Sequence, residues 1–372
     1  MSELRKDPIV GRWVVVAKGR AERPNDFSAP PAERSTADCP FCEGNERETP
    51  PEVLAYRAEG AAANGPGWRV RVVPNKFPAL EAADDCGASS GANGLCEQRP
   101  GFGVHEVILE TPRHVRNTAD LEVGELAEVH WAYRERLAEL RRDRRLAYGL
   151  VFKNVGPAAG ASLEHAHSQL VATPWVPECV AEEVSGAAQY FEREGTCVYC
   201  DLVRQEAVQG ARMVLETPEF AAFCPFASRF PYEIWVVPRQ HGSHFDELPR
   251  HMTDQLAQVM HEVLARLETA LDQPAYNSII HTAPFDTQQL RHYHWHIEIM
   301  PRLTNVAGFE WGTGCFINAV PPEEAAARLR SASVVSFRPS TPLTDSPLTK
   351  MSTSAQATKA AQQGKDAVER AT

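Results

Sequence analysis

Residues 106–121 have the sequence EVILETPRHVRNTADL, and a related stretch, EIWVVPRQHGSHFDEL, occupies residues 233–248. Shifting the first stretch by 127 positions aligns His114 with His241. Each copy begins as an apolar run rich in β-branched residues, breaks at a proline and then reaches a histidine. This internal duplication indicates two units built on one plan.

Both copies continue in the same order along the chain. Residues 125–143 and 252–271 place apolar side chains at helical spacing, and a strand pattern follows each of them, at 147–155 and 275–283. Strands separated by single helices predict an antiparallel sheet packed on helices, an α+β fold. The order leaves open whether the units share one sheet or form two domains. The two predicted apolar stripes are Leu126, Val129, Tyr133, Leu137 and Leu140, and Leu256, Val259, Met260, Val263 and Leu267.

The composition limits the function classes. The formal net charge is −11, and 43% of the residues are hydrophobic, as in soluble globular proteins. An acidic chain lacks the positive surface that nucleic acids and anionic membranes require, so we expect neither as a partner. The N-terminus has no signal-like apolar segment, and no apolar run is long enough to span a bilayer. We therefore expect a cytoplasmic protein, in which structural disulfides are rare.

Two Cys-x-x-Cys pairs, one ahead of each copy, predict metal ligands. Cys39 and Cys42 together with His114 and His165 would form a Cys₂His₂ set, which suits a structural zinc ion. The second set would combine Cys197, Cys200 and His241 with one histidine of residues 292–296. The plain alternative is buried thiols, and a redox couple is disfavoured because neither pair opens a helix after a strand of a βαβ unit.

The first histidine pair predicts a nucleophile. If His165 binds metal, His167 remains free on the same face of the strand, because residues two apart share a face. It follows the glycine-containing loop at 156–162, whose backbone N–H groups can bind phosphate. Asn154, Ser162 and Gln169 can add hydrogen bonds. An imidazole beside a phosphate site is suited to covalent nucleotidyl transfer. We assign five other histidines to the surface or to packing: His105, His130, His244, His251 and His261.

Residues 5–330 resemble the galactose-1-phosphate uridylyltransferase family, the transferase branch of the histidine-triad superfamily. The resemblance rests on DPIVGRWVVVAKGRAERP near the N-terminus, CPFC, VPNKFPAL, GVHEVILETPRH, GASLEHAHSQ and HTAPF. It implies a histidine-triad-like unit at 1–175 that contains the active site, and a second such unit at 176–332. Residues 333–372 are rich in Ser, Thr and Ala, and we expect them to form a disordered tail.

The resemblance also implies roles for particular residues. The catalytic pair would be His167, which attacks the α-phosphorus of UDP-glucose, and Gln169, which binds the phosphoryl oxygens. The uridylyl-histidine would then react with a hexose 1-phosphate, which predicts ping-pong kinetics. A homodimer is implied, as is one zinc ion bound by Cys39, Cys42, His114 and His165. The implied substrate-binding residues are Arg20 and Arg23 for the phosphates, Asn75 and Phe77 for uridine, and Asn154 and Ser162 around the phosphoryl group.

Several features leave alternatives open. We favour His294 as the fourth ligand of the second set, beside Cys197, Cys200 and His241, because this arrangement resembles the second zinc site of plant ADP-glucose phosphorylase-like relatives. Some family members instead use a glutamate and three histidines, here Glu182 or Glu183 with His281, His294 and His296. A plainer alternative is that His292 and His296 cap the sheet. The stretch GTGCFIN at 312–318 favours the phosphorylase-like branch. The first hypothesis is a hexose-1-phosphate uridylyltransferase, and the second is an ADP-glucose phosphorylase-like nucleotidyltransferase. The third is a zinc-stabilised nucleotide-binding protein without catalysis. Because Ile297 and Glu298 replace the Ser-Gln pair, we expect catalysis in the first unit alone.

Overall fold

The computed structural model describes residues 3–16, 39–82 and 100–333. Arg20, Arg23 and residues 334–372 of the expected tail lie outside the described residues. The strands are β1 (Glu3–Lys6), β2 (Trp13–Val16), β3 (Leu54–Arg57), β4 (Trp68–Pro74), β5 (Val104–Leu109), β6 (Tyr148–Val155), β7 (His167–Thr173), β8 (Met213–Glu216), β9 (Phe220–Phe223), β10 (Ile234–Pro238), β11 (Tyr276–His281), β12 (His296–Pro301) and β13 (Phe316–Asn318). The helices are α1 (Val123–Leu140), α2 (Glu178–Glu194), α3 (Val198–Gln209), α4 (Arg250–Leu271), α5 (Gly308–Thr313) and α6 (Pro322–Ser331).

Ten of these strands form one continuous sheet in the order β3-β4-β5-β7-β6-β11-β12-β10-β9-β8. Every neighbouring pair in it is antiparallel. The first five strands of this order come from the N-terminal unit, and the other five repeat their arrangement in mirror order. At the join, Asn154 of β6 lies opposite Asn277 of β11. The two units therefore share a single sheet, and the α+β prediction is confirmed. The boundary at residue 175 stays a prediction.

Helices α1 and α4 cover one face of the sheet. The ten apolar side chains predicted from their spacing are all buried. They pack against inward-facing strand residues such as Ile108, Leu170 and Ile297, and form the main hydrophobic core. Because side chains alternate along a strand, the residues between these core positions point to the opposite face of the sheet.

The opposite face differs between the two halves. In the C-terminal half, α2 and α3 cover it, and Tyr199 of α3 packs with Trp235 and Tyr293 in a second apolar cluster. In the N-terminal half, the described residues place a small apolar cluster around Trp68 and Val107 on this face, and leave two cavities near it. The space for a site therefore lies on the first half of the sheet.

The three remaining strands form a separate small sheet in the order β1-β2-β13. Arg5 of β1 connects it to helix α6 through Glu323, at 3.0 Å.

Among the described residues, none of the helices combines the length and the apolar character that crossing a membrane requires.

Leu256 tests the contribution of the helix layer. Its side chain is fully buried in the main core, so Leu256→Ala leaves a cavity and should lower the free energy of unfolding by about 2–5 kcal/mol. Urea unfolding followed by circular dichroism measures this change. The control is Val208→Ala, because Val208 is 88% exposed and its truncation should change stability by less than about 0.5 kcal/mol. Equal effects of the two substitutions would contradict the assignment of the core.

Candidate active site and metal centres

The predicted nucleophile lies at the start of a sheet strand beside open space. His167 is the first residue of β7, and Gln169 follows on the same face. Both side chains line a cavity of about 830 Å³, a volume in the range of small-molecule sites. His167 also lines a second cavity of about 360 Å³. The nucleophile candidate therefore borders two cavities.

Four of the six predicted substrate-binding residues surround His167. Asn75 and Phe77, from the segment that follows β4, line the larger cavity, and Phe77 is 82% exposed. Asn154 lines the smaller cavity, and Ser162 lines both. The other two, Arg20 and Arg23, lie outside the described residues. The structure thus brings these four together around one ring, while their individual roles stay predictions.

Two glycines of the loop that precedes β7 adopt backbone conformations that favour glycine. Gly156 and Gly160 have φ values of +79° and +87°, which side chains other than glycine rarely adopt. A Cβ at Gly156 would also lie 2.9 Å from Cβ of Ala275. The short 3₁₀ turn between the two glycines reverses the chain, and Ser162 follows it beside His167. The loop therefore delivers a hydroxyl group to the space in front of the nucleophile.

The first predicted metal set is assembled in the structure. The ligand atoms of Cys39, Cys42, His114 and His165 all lie within 4.8 Å of one another. Cys42 Sγ is 3.3 Å from Nδ1 of His114 and 3.5 Å from Nδ1 of His165. The ligand atoms of a tetrahedral zinc ion are about 3.3–3.8 Å apart, so this donor set fits zinc. Burial raises the pKa of the Cys42 thiol to about 11, and a bound cation would instead favour the thiolate.

Backbone hydrogen bonds fix opposite tautomers of the His165 and His167 rings. His165 donates from Nε2 to the carbonyl oxygen of Thr111, at 2.8 Å, which leaves the lone pair on Nδ1 facing the cysteine sulfurs. His167 donates from Nδ1 to the carbonyl oxygen of His165, at 2.7 Å, which leaves the lone pair on Nε2. One ring is therefore prepared to bind a metal ion, and the other to attack an electrophile.

Burial keeps both rings neutral. It lowers the pKa of His165 to about 4 and also lowers the pKa of His167. A neutral imidazole is the form that binds metal and that acts as a nucleophile. The Phe41 ring lies edge-on to the His167 ring, with 5.1 Å between the centroids. Since Phe41 stands between the two cysteines of CPFC, the first metal set directly supports the position of His167.

The second metal set forms with His294. The ligand atoms of Cys197, Cys200, His241 and His294 are also within 4.8 Å of one another. Cys200 Sγ lies 3.5 Å from Nδ1 of His241 and 3.6 Å from Nδ1 of His294. Hydrogen bonding from Cys197 and from the two histidines lowers the pKa of Cys200. The geometry again suits zinc, and it places His294 with the cysteines rather than with the glutamate of the alternative set.

The other histidines of that alternative form a third group. Glu183, His281, His296 and Glu298 bring their ligand atoms within 4.8 Å of one another. Burial alone would lower the pKa of His281, but the carboxylates of Glu183 and Glu298 raise it well above its usual value. His281 therefore carries a positive charge between two negative ones. His296 belongs to this buried group, and Glu182 does not.

The third group occupies the position in the second unit that the nucleophile occupies in the first. His296 is the first residue of β12 and follows His294 by two positions, as His167 begins β7 and follows His165, and Nδ1 of His296 contacts the carbonyl oxygen of His294 at 3.2 Å. However, the rings of Tyr199 and Trp235 cover it, with centroids at 4.9 and 5.0 Å. His296 has no exposed surface. These covering rings are consistent with catalysis in the first unit alone.

His105 is a site residue that sequence reasoning missed. We assigned it to the surface or to packing, but its Nε2 lies 2.8 Å from Oε1 of Gln169. It belongs to β5, where alternation places His105 and Val107 on the same face, and Val107 is paired with Gln169. The alternation was visible in the sequence, whereas the pairing of β5 with β7 was not.

A buried ionic group supports β7 from the helix side. Glu110 accepts hydrogen bonds from Lys153 Nζ, Ser168 Oγ and Tyr133 Oη, the last at 2.9 Å. Burial would raise the pKa of Glu110, but the charge of Lys153 and these hydrogen bonds lower it. Ser168 directly follows the nucleophile candidate, so the network fixes the backbone at that point.

Two family models match the chain. Residues 1–177 match the N-terminal domain of galactose-1-phosphate uridyl transferase. Residues 103–346 match a domain of unknown function (DUF4921).

Curated relatives cover most of the chain. ADP-glucose phosphorylase from Arabidopsis thaliana is 36% identical over 89% of this chain and 93% of its own length. Galactose-1-phosphate uridylyltransferase from Thermotoga maritima is 29% identical over 90% and 99%, respectively. A crystal structure of the Arabidopsis enzyme with bound ADP-glucose has a TM-score of 0.77 at 35% identity, and covers 90% of this chain and 100% of that one.

Metal analysis tests the two cysteine-containing sets. Purified protein should contain about two zinc ions per chain, one for each set. Cys42→Ser and Cys200→Ser should each remove one ion, because a serine hydroxyl is a poor zinc ligand. Elemental analysis by mass spectrometry measures the content. The control is Cys179→Ser, since Cys179 is an exposed cysteine outside both sets. Wild-type zinc content in Cys42→Ser would contradict the first site.

Proposed function

The chain belongs to the galactose-1-phosphate uridylyltransferase family of nucleotidyltransferases, and we propose that it transfers a nucleotidyl group through a covalent intermediate on His167. The observation that carries this proposal is the orientation of the His167 ring. Its Nδ1–H is bound to a backbone carbonyl, its Nε2 has no hydrogen-bond partner among the described residues, and the residue lines both cavities. A buried neutral imidazole so held is a preorganised nucleophile.

The proposed reaction has two steps. In the first, Nε2 of His167 attacks the α-phosphorus of a nucleoside diphosphate hexose. The bond from phosphorus to the bridging oxygen breaks, and hexose 1-phosphate leaves with the electron pair. In the second step, an oxygen of an acceptor phosphate attacks the same phosphorus. The phosphorus–nitrogen bond then breaks, and its electron pair returns to Nε2.

Local hydrogen bonds support both steps. Nucleophilic attack places positive charge on the imidazole, and the His165 carbonyl that accepts Nδ1–H stabilises this charge. The amide of Gln169 and the hydroxyl of Ser162 line the same cavity as the ring, and we assign them to the phosphoryl oxygens. We assign the larger cavity to the nucleotide and the smaller one to the second phosphate.

For the substrates, we propose ADP-glucose as donor and inorganic phosphate as acceptor. Support comes from the 36% identity with Arabidopsis ADP-glucose phosphorylase, which extends over both units. The products would be ADP and glucose 1-phosphate. The stretch GTGCFIN at 312–318 favours the same assignment.

A second candidate is the UDP-glucose:hexose-1-phosphate uridylyltransferase reaction, with a hexose 1-phosphate as acceptor. The match of residues 1–177 to the uridyl transferase domain and the 29% identity with the Thermotoga enzyme support it. The two candidates share the first step and the residues around His167. They differ in the base of the donor and in the group attached to the acceptor phosphate.

We also propose that zinc ions occupy the two cysteine-containing sets as structural ions. Each set supplies four protein ligands, which leaves no position for a substrate. The first set would hold β7 and Phe41 in place beside the nucleophile. A homodimer is a further part of the proposal, with Arg20 and Arg23 reaching the nucleotide phosphates as their family counterparts do.

Incubation with paired substrates tests the substrate assignment. ADP-glucose with phosphate should yield ADP and glucose 1-phosphate. UDP-glucose with galactose 1-phosphate should yield UDP-galactose at a rate at least about tenfold lower, because the loss of one contact to the base is enough to lower the rate by that factor. Chromatography of the products measures both rates. Faster formation of UDP-galactose would transfer the assignment to the uridylyltransferase reaction.

Two substitutions separate the proposed nucleophile from the proposed ligand. His167→Gly should abolish product formation and leave zinc content unchanged, because His167 supplies none of the four ligand atoms of the first metal set. His165→Ala should lose one zinc ion and lower the melting temperature. Product assays, elemental analysis and thermal unfolding provide the three measurements. Equal loss of zinc in both variants would overturn the division of roles, and His251→Ala, at an exposed helix position, serves as the control.

A further inference from the structure

We infer that His105 is a positioning residue that fixes the side-chain amide of Gln169, so that its NH₂ group faces the phosphoryl group bound at His167. The inference rests on the proposed function and deepens it, because it assigns a role to a residue outside the expected set. It is carried by three contacts of the His105 ring and by the identity of the hydrogen-bond donor in each.

The first contact determines the tautomer of His105. The backbone N–H of Ala79 points to Nδ1 of the ring, at 3.0 Å. A backbone amide can only donate, so Nδ1 must accept and carries no proton. The neutral ring then holds its proton on Nε2, which makes Nε2 a donor.

The second contact directs that proton. Nε2 lies 2.8 Å from Oε1 of Gln169 and 3.1 Å from Nδ2 of Asn75. Oδ1 of Asn75 already accepts the backbone N–H of Phe77, at 2.9 Å, which fixes the orientation of this amide with its nitrogen toward His105. Of the two neighbours, Gln169 Oε1 is therefore the acceptor, and His105 donates to it.

The consequence concerns the other end of the Gln169 amide. With Oε1 occupied by His105, the NH₂ group must point away from β5. Within the described residues it donates to no protein acceptor, and Gln169 lines the same cavity as His167. Two N–H donors are therefore oriented toward the space that the phosphoryl oxygens of a nucleotide bound at His167 would occupy.

Without His105, its hydrogen bond would no longer hold the Gln169 amide in this orientation. The amide of Gln169 could then rotate by half a turn and present Oε1 to negatively charged oxygens, which repels them. A fixed donor is worth more in a transition state than one that must reorient, and removal of one such donor costs about 10²–10³ in rate. We expect loss of His105 to slow the chemical step rather than to weaken donor binding, because the charge on the phosphoryl oxygens is redistributed in that step.

Single-turnover nucleotidylation of His167, followed by quenching and mass spectrometry, tests the inference. The donor is ADP-glucose or UDP-glucose, whichever modifies the wild-type protein. His105→Leu should slow the modification by at least about tenfold while donor affinity changes by less than about threefold. His105→Gln, which can place an amide N–H near the position of Nε2, should restore the rate to within about threefold of wild type.

Coupling to Gln169 separates a positioning role from a structural one. In a Gln169→Ala background, His105→Leu should cause less than about a twofold further loss, because the group it orients is gone. His261→Leu, a half-buried histidine on α4, serves as the matched control and should keep the wild-type rate. Zinc content and melting temperature should be unchanged in all variants.

The outcomes are distinguishable. No modification of wild-type His167 by either donor would overturn the proposed function and this inference with it. Modification of wild type and of His105→Leu at equal rates would overturn the inference alone. An undiminished effect of His105→Leu in the Gln169→Ala background, or no rescue by His105→Gln, would also overturn it.

Discussion

The hydrogen bond from His167 Nδ1 to the carbonyl of His165 is the constraint on which the candidate site depends. It leaves the Nε2 lone pair of His167 free in a cavity. The neighbouring bond from His165 Nε2 to Thr111 does the opposite and leaves Nδ1 for the metal set. Two histidines two residues apart, one just before β7 and one at its start, thus acquire different chemistry from backbone acceptors alone, and burial keeps both neutral. Phe41 joins the two roles, since it lies between two metal-site cysteines and packs on the His167 ring.

The duplication shows how one strand pattern supports two outcomes. Both units bring a Cys-x-x-Cys pair to two histidines. In the first unit, the described residues leave two cavities beside the metal set and His167. In the second, Tyr199 and Trp235 cover His296, and Glu298 stands where the first unit has Gln169. A carboxylate there would repel a phosphoryl group, and it is paired instead with Arg229 and protonated His281. In the second unit, packed aromatic rings and paired charges therefore occupy the place that corresponds to the cavity of the first unit.

Buried charges behind the site make it rigid. Glu110 and Lys153 lie under β7, and Glu110 also binds Ser168 and Tyr133. Taking such charges out of water is costly, and the pairing repays this cost only when the remaining hydrogen bonds are made. Here Glu110 has three partners. The network contacts the residue immediately after the nucleophile candidate, which limits how far β7 can shift. Together with the metal set at the start of the strand, it supports His167 from both sides of the sheet.

The sequence by itself determined the repeat, the helix stripes and the metal sets, because each depends on local spacing: apolar residues at helical intervals, cysteines three apart, histidines two apart. It also identified four cavity residues, Asn75, Phe77, Asn154 and Ser162, through family resemblance. Only the tertiary structure decided that the two units share one sheet, that His296 lies with Glu183, His281 and Glu298, and that His105 contacts Gln169. Each of these depends on which strands pair and in what register, and such contacts link residues far apart in the chain. Local spacing cannot specify them, since a shift of one residue would turn each side chain to the other face of the sheet.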